Sequence, residues 1–321
     1  MPDRSIRCML MTIKNYPLGW EKNLQGRVEI NMTSSSCQEL YAKPMVVNTL
    51  DGCEFYHVME VPGVGICGGK WDLRGDVDQY FGGVNFSGKR VLELGAASGF
   101  LCFEMEKRGA DVVSFDIGDN QEWDMVPFAQ YDYKAHIKSF REYTDGFKRA
   151  YWYAHKALNS KAKVVYASIY DVPKAIGVVD IATFGCILLH LRDPFRALES
   201  ASRLVKDTII VTDLLPSRSF VCYDISFVSR LLRYAKGMFK EVGKSSVTTR
   251  LPCMVLLPVF KTLEHKEVWW ALSPEIVVNF LGILGFEETT VIYHRQKFEG
   301  KMQNLYTVVG RRTIGRDSVG K

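Results

Sequence analysis

Residues Arg90–Asp119 read RVLELGAASGFLCFEMEKRGADVVSFDIGD. Val91, Leu92 and Leu94 form the short apolar run of a buried parallel strand. Gly95, Ala96, Ala97, Ser98 and Gly99 follow as a turn of small residues. Between Phe100 and Arg108, apolar Phe100, Leu101, Phe103 and Met105 interleave with Glu104, Glu106 and Lys107, a helical pattern, and Gly109 stands where a left-handed cap is wanted. A second apolar strand, Val112 to Phe115, ends on Asp116. A strand–helix–strand unit with such a first turn points backbone N–H groups and a helix N-terminus at a ligand. Asp116, at the tip of the second strand, can accept two ribose hydroxyls, so the unit reads as a nucleoside site.

Spacing narrows the choice of nucleoside. A dinucleotide fingerprint, G-x-G-x-x-G, needs a third glycine at position 100, where Phe100 stands. Glu93 followed by Gly95-x-x-x-Gly99 instead resembles the E/D-x-G-x-x-x-G turn of class I methyltransferases that bind S-adenosylmethionine.

Bulk properties set the outer limits. The 321 residues suffice for one large domain or a domain with an appendage. A net charge of +5 permits an anionic substrate without demanding nucleic acid. The eight cysteines form no C-x-x-C pair, and Cys102 and Cys186 fall within apolar elements. They read as reduced core thiols of a cytoplasmic protein. No apolar run approaches the length of a membrane span, and the first twenty residues, as given, carry no apolar leader core.

In chain order, residues 1–54 are expected to be an N-terminal extension or cap, and 55–321 the main domain. Phe55 to Gly69 predicts a hairpin turning at Pro62-Gly63. An aromatic-rich insertion at about 121–163 carries Tyr131, Tyr133, Phe140, Tyr143, Phe147, Tyr151, Trp152 and Tyr153 on helical segments, either as core or as a lid over a pocket. Strands are expected at Val164–Ala167, at Val178–Phe184 and at Thr208–Thr212, the last ending on Asp213. A second insertion, about 216–267, contains an amphipathic helix at Asp224–Phe239 whose Arg230, Arg233, Lys236 and Lys240 make a basic face. That face reads as a lid's solvated side, or else as a contact for RNA or a membrane surface. A helix capped by Ser273 with Pro274 at its first position leads to strands Thr289–Tyr293 and Asn304–Gly310. The expected fold is α/β: a doubly wound, seven-stranded, Rossmann-like sheet closed by a reversed hairpin, with helical lid insertions.

Longer blocks carry a closer likeness. FYH-x-x-x-x-PG-x-G-x-x-GGKWDLR from Phe55, the glycine-turn block, Gly146-Phe147-x-x-Ala150, SIYDV from Ser168 and GCILLHLRDPFRAL from Gly185 are similar to bacterial class I methyltransferases related to the tRNA wobble-uridine carboxymethyl-type enzyme. In that enzyme a tryptophan and a lysine five residues later hold a carboxylated cofactor. Here Trp71 has Asp76 at that spacing, and an acid repels a carboxylate. The enzyme's Leu-Tyr-His is Leu188-Leu189-His190 here. These departures point to ordinary S-adenosylmethionine as cofactor, and the scattered cysteines to no metal.

The resemblance also implies roles. Gly95, Ala97 and Gly99 approach the methionine part of the cofactor, with Glu93 near its amino group. Asp116 takes the ribose and Ile117 the adenine, which Ser168 and Ile169 frame. Gly185 and Cys186 floor the sulfonium end, and Trp71 and Arg74 roof the site, Arg74 toward the methionine carboxylate. Methyl transfer needs a general base only if the acceptor loses a proton early. His190 is the first candidate, at the sheet edge where ligands bind, and His57 and Asp76 are the next. A small-molecule acceptor (a sugar, a lipid-like compound or a secondary metabolite) is preferred. A nucleic acid contacting Arg218–Arg250 is the second choice and a non-catalytic nucleotide-binding scaffold the third.

Overall fold

A computed structural model describes residues 39–119, 121–216 and 251–315. The basic helix expected at 224–239, and residues 1–38 of the N-terminal extension, lie outside the described residues.

The elements are β1 (Met59–Val61), β2 (Gly65–Cys67), β3 (Trp71–Asp72), α1 (Val77–Tyr80), β4 (Arg90–Leu94), α2 (Phe100–Lys107), β5 (Asp111–Asp116), α3 (Tyr133–Ala157), β6 (Lys163–Tyr166), β7 (Val179–Gly185), α4 (Pro194–Ser202), β8 (Val205–Leu214), β9 (Met254–Leu256), β10 (Trp270–Leu272), α5 (Pro274–Ile283), β11 (Glu288–Phe298) and β12 (Lys301–Arg311). The main sheet runs β3-β11-β12-β8-β7-β4-β5-β6. Strands β4 to β8 are parallel, while β12 is antiparallel to both β8 and β11. This is the expected doubly wound sheet with a reversed closing hairpin. An eighth strand joins it, because Trp71 and Asp72 pair with Phe298 and Lys297 at the edge. Two-residue β3 has no periodicity by which sequence could announce it.

Alternation along the strands divides the core in two. Leu92, Leu94, Val113, Phe115, Phe184 and Val211 pack with α4 and α5. Val91, Val112, Val164, Ile181 and Ile210 pack with α1, α2 and α3. Period-two side-chain alternation gives a sheet two apolar faces and therefore two helical layers. The hairpin β1–β2 turns through Pro62-Gly63, as its sequence predicts. The β11–β12 hairpin is longer than the two short strands expected, pairing from Glu288↔Arg311 down to Phe298↔Lys301. Its turn is Glu299-Gly300, both with positive φ (47° and 80°), which suits a two-residue primed turn.

Within the aromatic insertion only Tyr133–Ala157 is helical, and Tyr131 lies in the loop before it. This single helix, α3, is capped by the Asp132 carboxylate accepting from Lys134 N–H. Its C-terminal half buries Tyr151, Trp152 and Ala154 against α2 and the sheet, as a crossover helix does. Residues 39–54 pack on the same layer: Ala42 N–H donates to the Val164 carbonyl at 2.8 Å and Glu54 N–H to the Gly146 carbonyl at 3.0 Å.

Candidate active site

The first turn is built by backbone conformation. Gly95 (φ 87°) and Gly99 (φ 89°) take left-handed angles, and Ala97 joins them at φ 46°. A Cβ on Gly99 would meet Phe103 at 2.6 Å and Tyr151 at 2.7 Å, so only glycine fits there. Gly95 and Ala96 donate their N–H groups to the Phe115 carbonyl at 2.9 and 3.3 Å, tying the turn to β5.

Asp116 closes the turn from the neighbouring strand. One carboxylate oxygen accepts Ala97 N–H at 2.9 Å and the other accepts Ile117 N–H at 2.7 Å. Burial raises the carboxyl's pKa, while those two N–H groups and the Lys148 ammonium pull it back. Each oxygen keeps a further lone pair, and a ribose with two adjacent hydroxyls needs two such acceptors. Lys148, not anticipated from sequence, pairs with Asp119 and lies over the Tyr166 ring at 4.9 Å. Ser168 and Ile169 follow β6, whose Tyr166 is paired with Asp116, so they stand at the same sheet edge. The Ser168 hydroxyl there accepts Tyr170 N–H at 3.3 Å.

A second segment is fastened onto the turn. Tyr56 N–H donates to the Ser98 hydroxyl at 3.0 Å, and the Tyr56 carbonyl accepts from Lys70 and Trp71 at 2.9 and 3.1 Å. This brings Trp71, His57 and Tyr56 beside the N-terminus of α2. His57 is buried with its ring stacked on Phe100 at 5.6 Å, and its Nδ1 has no partner. Burial pushes its pKa down to about 3, so the ring is neutral at any ordinary pH.

Arg74 and Asp76 are not brought to the turn. Arg74 is exposed and its guanidinium is held in a fork by Asp72, at 2.8 and 2.9 Å. It lines an outer hollow of about 210 Å³ beside α2 with Phe103, Glu104 and Lys107. Asp76 is the N-cap of α1, its carbonyl accepting from the Gln296 amide at 2.9 Å. Glu93 lies beneath the turn: its side chain enters the layer under α2 and α3, where Oε2 accepts the Ser114 hydroxyl at 2.9 Å and Ser114 in turn accepts Tyr151 OH at 3.1 Å. Burial and the Asp116 charge raise the Glu93 pKa to about 8. Its Oε1 is buried without a partner.

Strand β7 ends beside this turn, Phe184 being paired with Leu94, where the sequence expects the floor of the site. Gly185 ends it, and a Cβ there would meet the Tyr80 hydroxyl at 2.9 Å. Cys186 (φ 49°) follows, its N–H donating to the Thr212 carbonyl at 2.8 Å. Burial holds its thiol protonated by raising the pKa. Asp213 stands beside it on β8, 2% exposed, with Oδ1 accepting Leu214 N–H at 2.7 Å and Oδ2 unpartnered. Burial raises its pKa to about 7. The chain alone marked Asp213 only as a strand-terminal acid; its cross-strand partner Tyr306 on β12 is far away in sequence.

His190 lies on a 3₁₀ turn at the end of the same floor. Its Nδ1 is 2.7 Å from the Glu267 carbonyl. A carbonyl only accepts, so Nδ1 carries the proton and Nε2 bears the free lone pair. Burial lowers the His190 pKa, outweighing that hydrogen bond, and the neutral base form prevails at pH 7. Residues 266–270 strap this region: Trp269 N–H donates to the Leu189 carbonyl at 2.8 Å, Trp269 Nε1 to the Asp124 carbonyl at 2.6 Å, and Val126 N–H to the Lys266 carbonyl at 2.9 Å. The Glu267 carboxylate reaches His136 of α3 at 2.7 Å. Neither Glu267 nor Trp269 is marked by any local motif.

Residues 72–250 match the family described as methyltransferase domain, and the chain belongs to it. No curated protein matches the sequence. Among solved structures, the chain is similar to magnesium protoporphyrin IX methyltransferase from Synechocystis PCC 6803 with S-adenosylhomocysteine bound, at 12% identity over 75% of this chain and 82% of that one, TM-score 0.42. It is similar to the N-terminal domain of EvdMO1 in the presence of S-adenosylhomocysteine and D-fucose, at 17% identity over 82% and 92%, TM-score 0.43. It is also similar to the Burkholderia thailandensis 1,6-didemethyltoxoflavin-N1-methyltransferase, at 10% identity over 71% and 72%, TM-score 0.38. The protein is a class I methyltransferase that uses S-adenosylmethionine. Its glycine turn and the spare lone pairs of Asp116 fit that cofactor. Among the described residues no helix is long and apolar enough to cross a membrane, and no cluster of His, Cys, Asp and Glu is arranged to hold a metal.

Proposed function

We propose that this methyltransferase acts on a small-molecule acceptor, at oxygen, nitrogen or carbon, with His190 Nε2 as the base that receives the acceptor's proton. The observation that carries this reading is the strap of residues 266–270 bound to 124–126 and to Leu189, which leaves His190 half-buried at the sheet edge. A base in such a recess suits a compact acceptor, since a folded RNA would have to present its nucleotide into the recess.

When bound, the cofactor supplies an electrophilic methyl group on a sulfonium. The protein's contribution is positioning and exclusion of water. We assign the ribose to Asp116, the adenine to Ile117, Ser168 and Ile169, and the methionine part to the turn of Gly95, Ala97 and Gly99. Gly185 and Cys186 take the sulfonium end, and Trp71, fixed through Tyr56, covers the site. Glu93 acts from below, holding the turn through β5. Kinship with the wobble-uridine group is part of the proposal; Asp76 in place of that group's lysine supports the unmodified cofactor.

The test is formation of S-adenosylhomocysteine from S-adenosylmethionine with fractionated small-molecule extracts and, separately, with total RNA. The proposal expects turnover with the former. It also expects His190→Gln to lose about 10²-fold or more in kcat with an unchanged cofactor Kd. Turnover on RNA alone, falling steeply with salt, would replace the small molecule by a nucleic acid.

A further inference from the structure

We infer that Asp213 is the counter-charge to the cofactor's sulfonium, and that through it the protein distinguishes the charged methyl donor from its neutral thioether product. This rests on the assignment above of the Gly185–Cys186 floor to the sulfonium end. Asp213 adjoins that floor: Thr212, its chain neighbour, is paired with Gly185, and the Thr212 carbonyl receives Cys186 N–H. Its Oδ2 is buried and accepts from no described residue, although a carboxylate so placed normally gains partners or stays neutral.

Among the described residues, no cation lies within electrostatic reach of Asp213. Within electrostatic reach of Asp213 are the Cys186 thiol at the end of β7, the Tyr80 hydroxyl on α1 and the Tyr306 hydroxyl on β12, with Tyr56 in reach of Cys186. Burial raises the pKa of all four and keeps them neutral. Glu275 on α5 lies within electrostatic reach of Tyr306, and Tyr306 OH itself donates to the Leu272 carbonyl at 3.0 Å. Without a cation, burial holds Asp213 protonated up to a pH of about 7. An opposite charge nearby lowers a carboxyl pKa by about 1–3. Binding of the sulfonium therefore expels the proton, and binding of the thioether leaves it in place.

The linkage is measurable on the full-length protein without knowing the acceptor. Calorimetric titrations at pH 6, in buffers of different ionisation enthalpy, count protons released by S-adenosylmethionine and by S-adenosylhomocysteine. The two ligands share ribose, carboxylate and a protonated amino group, so effects at Asp116 and at the turn cancel. His57, whose pKa burial pushes down to about 3, has no proton to give at pH 6, and the same titrations on His190→Gln remove any contribution from that ring. The donor should release close to one proton more than the product. The ratio of their affinities should then move about 10-fold or more in the donor's favour between pH 5 and pH 8. Asp213→Asn should abolish both differences. Equal proton counts in the wild-type protein would overturn the inference. So would a difference that survives Asp213→Asn and vanishes in Glu93→Gln. Failure of both ligands to bind would instead overturn the assignment of the cofactor site itself.

Discussion

At the scale of single residues, Asp116 and Gly99 carry the most. Asp116 organises the turn before any ligand arrives, because its two oxygens hold the N–H groups of Ala97 and Ile117. Asp116→Ala removes two ribose acceptors and also leaves the Ala97 N–H unpaired. A hydrogen bond to a charged group contributes about 1.5–3 kcal/mol. Calorimetry should therefore show S-adenosylmethionine and S-adenosylhomocysteine both weakened about 100-fold or more; an unchanged Kd would detach Asp116 from the ribose. Gly99→Ala acts differently, forcing a methyl into Phe103 and Tyr151 at a left-handed φ. Overpacking with backbone strain costs about 2–4 kcal/mol. Thermal unfolding should fall by several degrees in Gly99→Ala, and also in Asp116→Ala, which gives up the bonds to the N–H groups of Ala97 and Ile117. Asp116→Asn, which keeps an acceptor for the turn and loses the charge, separates the binding defect from the folding defect.

At the scale of elements, what could be read in the chain follows the range of the interactions. The β4–α2–β5 unit was legible because strand, turn, helix, cap and Asp116 are all specified within one contiguous stretch. The caps at Ser273 and Gly109 were legible for the same reason. Strand β3 was not, since Trp71 and Asp72 become a strand only when Phe298 and Lys297 fold beside them. His190 could be placed at the sheet edge, but its tautomer is set by a carbonyl 77 residues away. Arg74 looked available, yet Asp72, two residues before it, occupies its guanidinium; that neighbour was visible in the chain. The strap makes its own prediction. Trp269→Ala leaves the Asp124 carbonyl without its indole donor and takes away the ring over which Arg192 lies at 5.1 Å. It should depress acceptor turnover about tenfold while cofactor affinity stays the same; parallel losses in both would mean that the strap supports the cofactor site too.

At the scale of the whole molecule, the buried ionisable groups predict the shape of the pH–stability curve. Glu93 titrates at about 8 and Asp213 at about 7 when folded, both well above the ordinary carboxyl range. Between the unfolded and folded values the native state binds more protons than the unfolded chain, so each group makes stability fall as pH rises. Asp213 finishes its contribution near pH 7 and Glu93 near pH 8. His57, His190 and His294 act in the opposite sense. Burial lowers all three, so below about pH 6.5 the unfolded chain takes up protons that the native state refuses, and stability falls as pH drops. On the acid side the three histidines are joined by Asp72, held low by the Arg74 guanidinium, and by Glu104, which despite its burial Lys107 and Arg108 hold low. Together they outnumber the raised carboxyls of Glu93, Asp213 and Asp116, whereas between about pH 6.5 and 8 the raised carboxyls act alone. Stability should therefore peak at about pH 6.5 and decline toward pH 8. Glu93→Gln is nearly isosteric and keeps an acceptor for Ser114 OH. Chemical denaturation at stepped pH should show the alkaline decline mostly removed in this variant and the acid decline retained. A variant that still loses stability between pH 6.5 and 8 would shift the source to Asp213, and one that loses its acid limb as well would show that Glu93 and the histidines titrate as one coupled core.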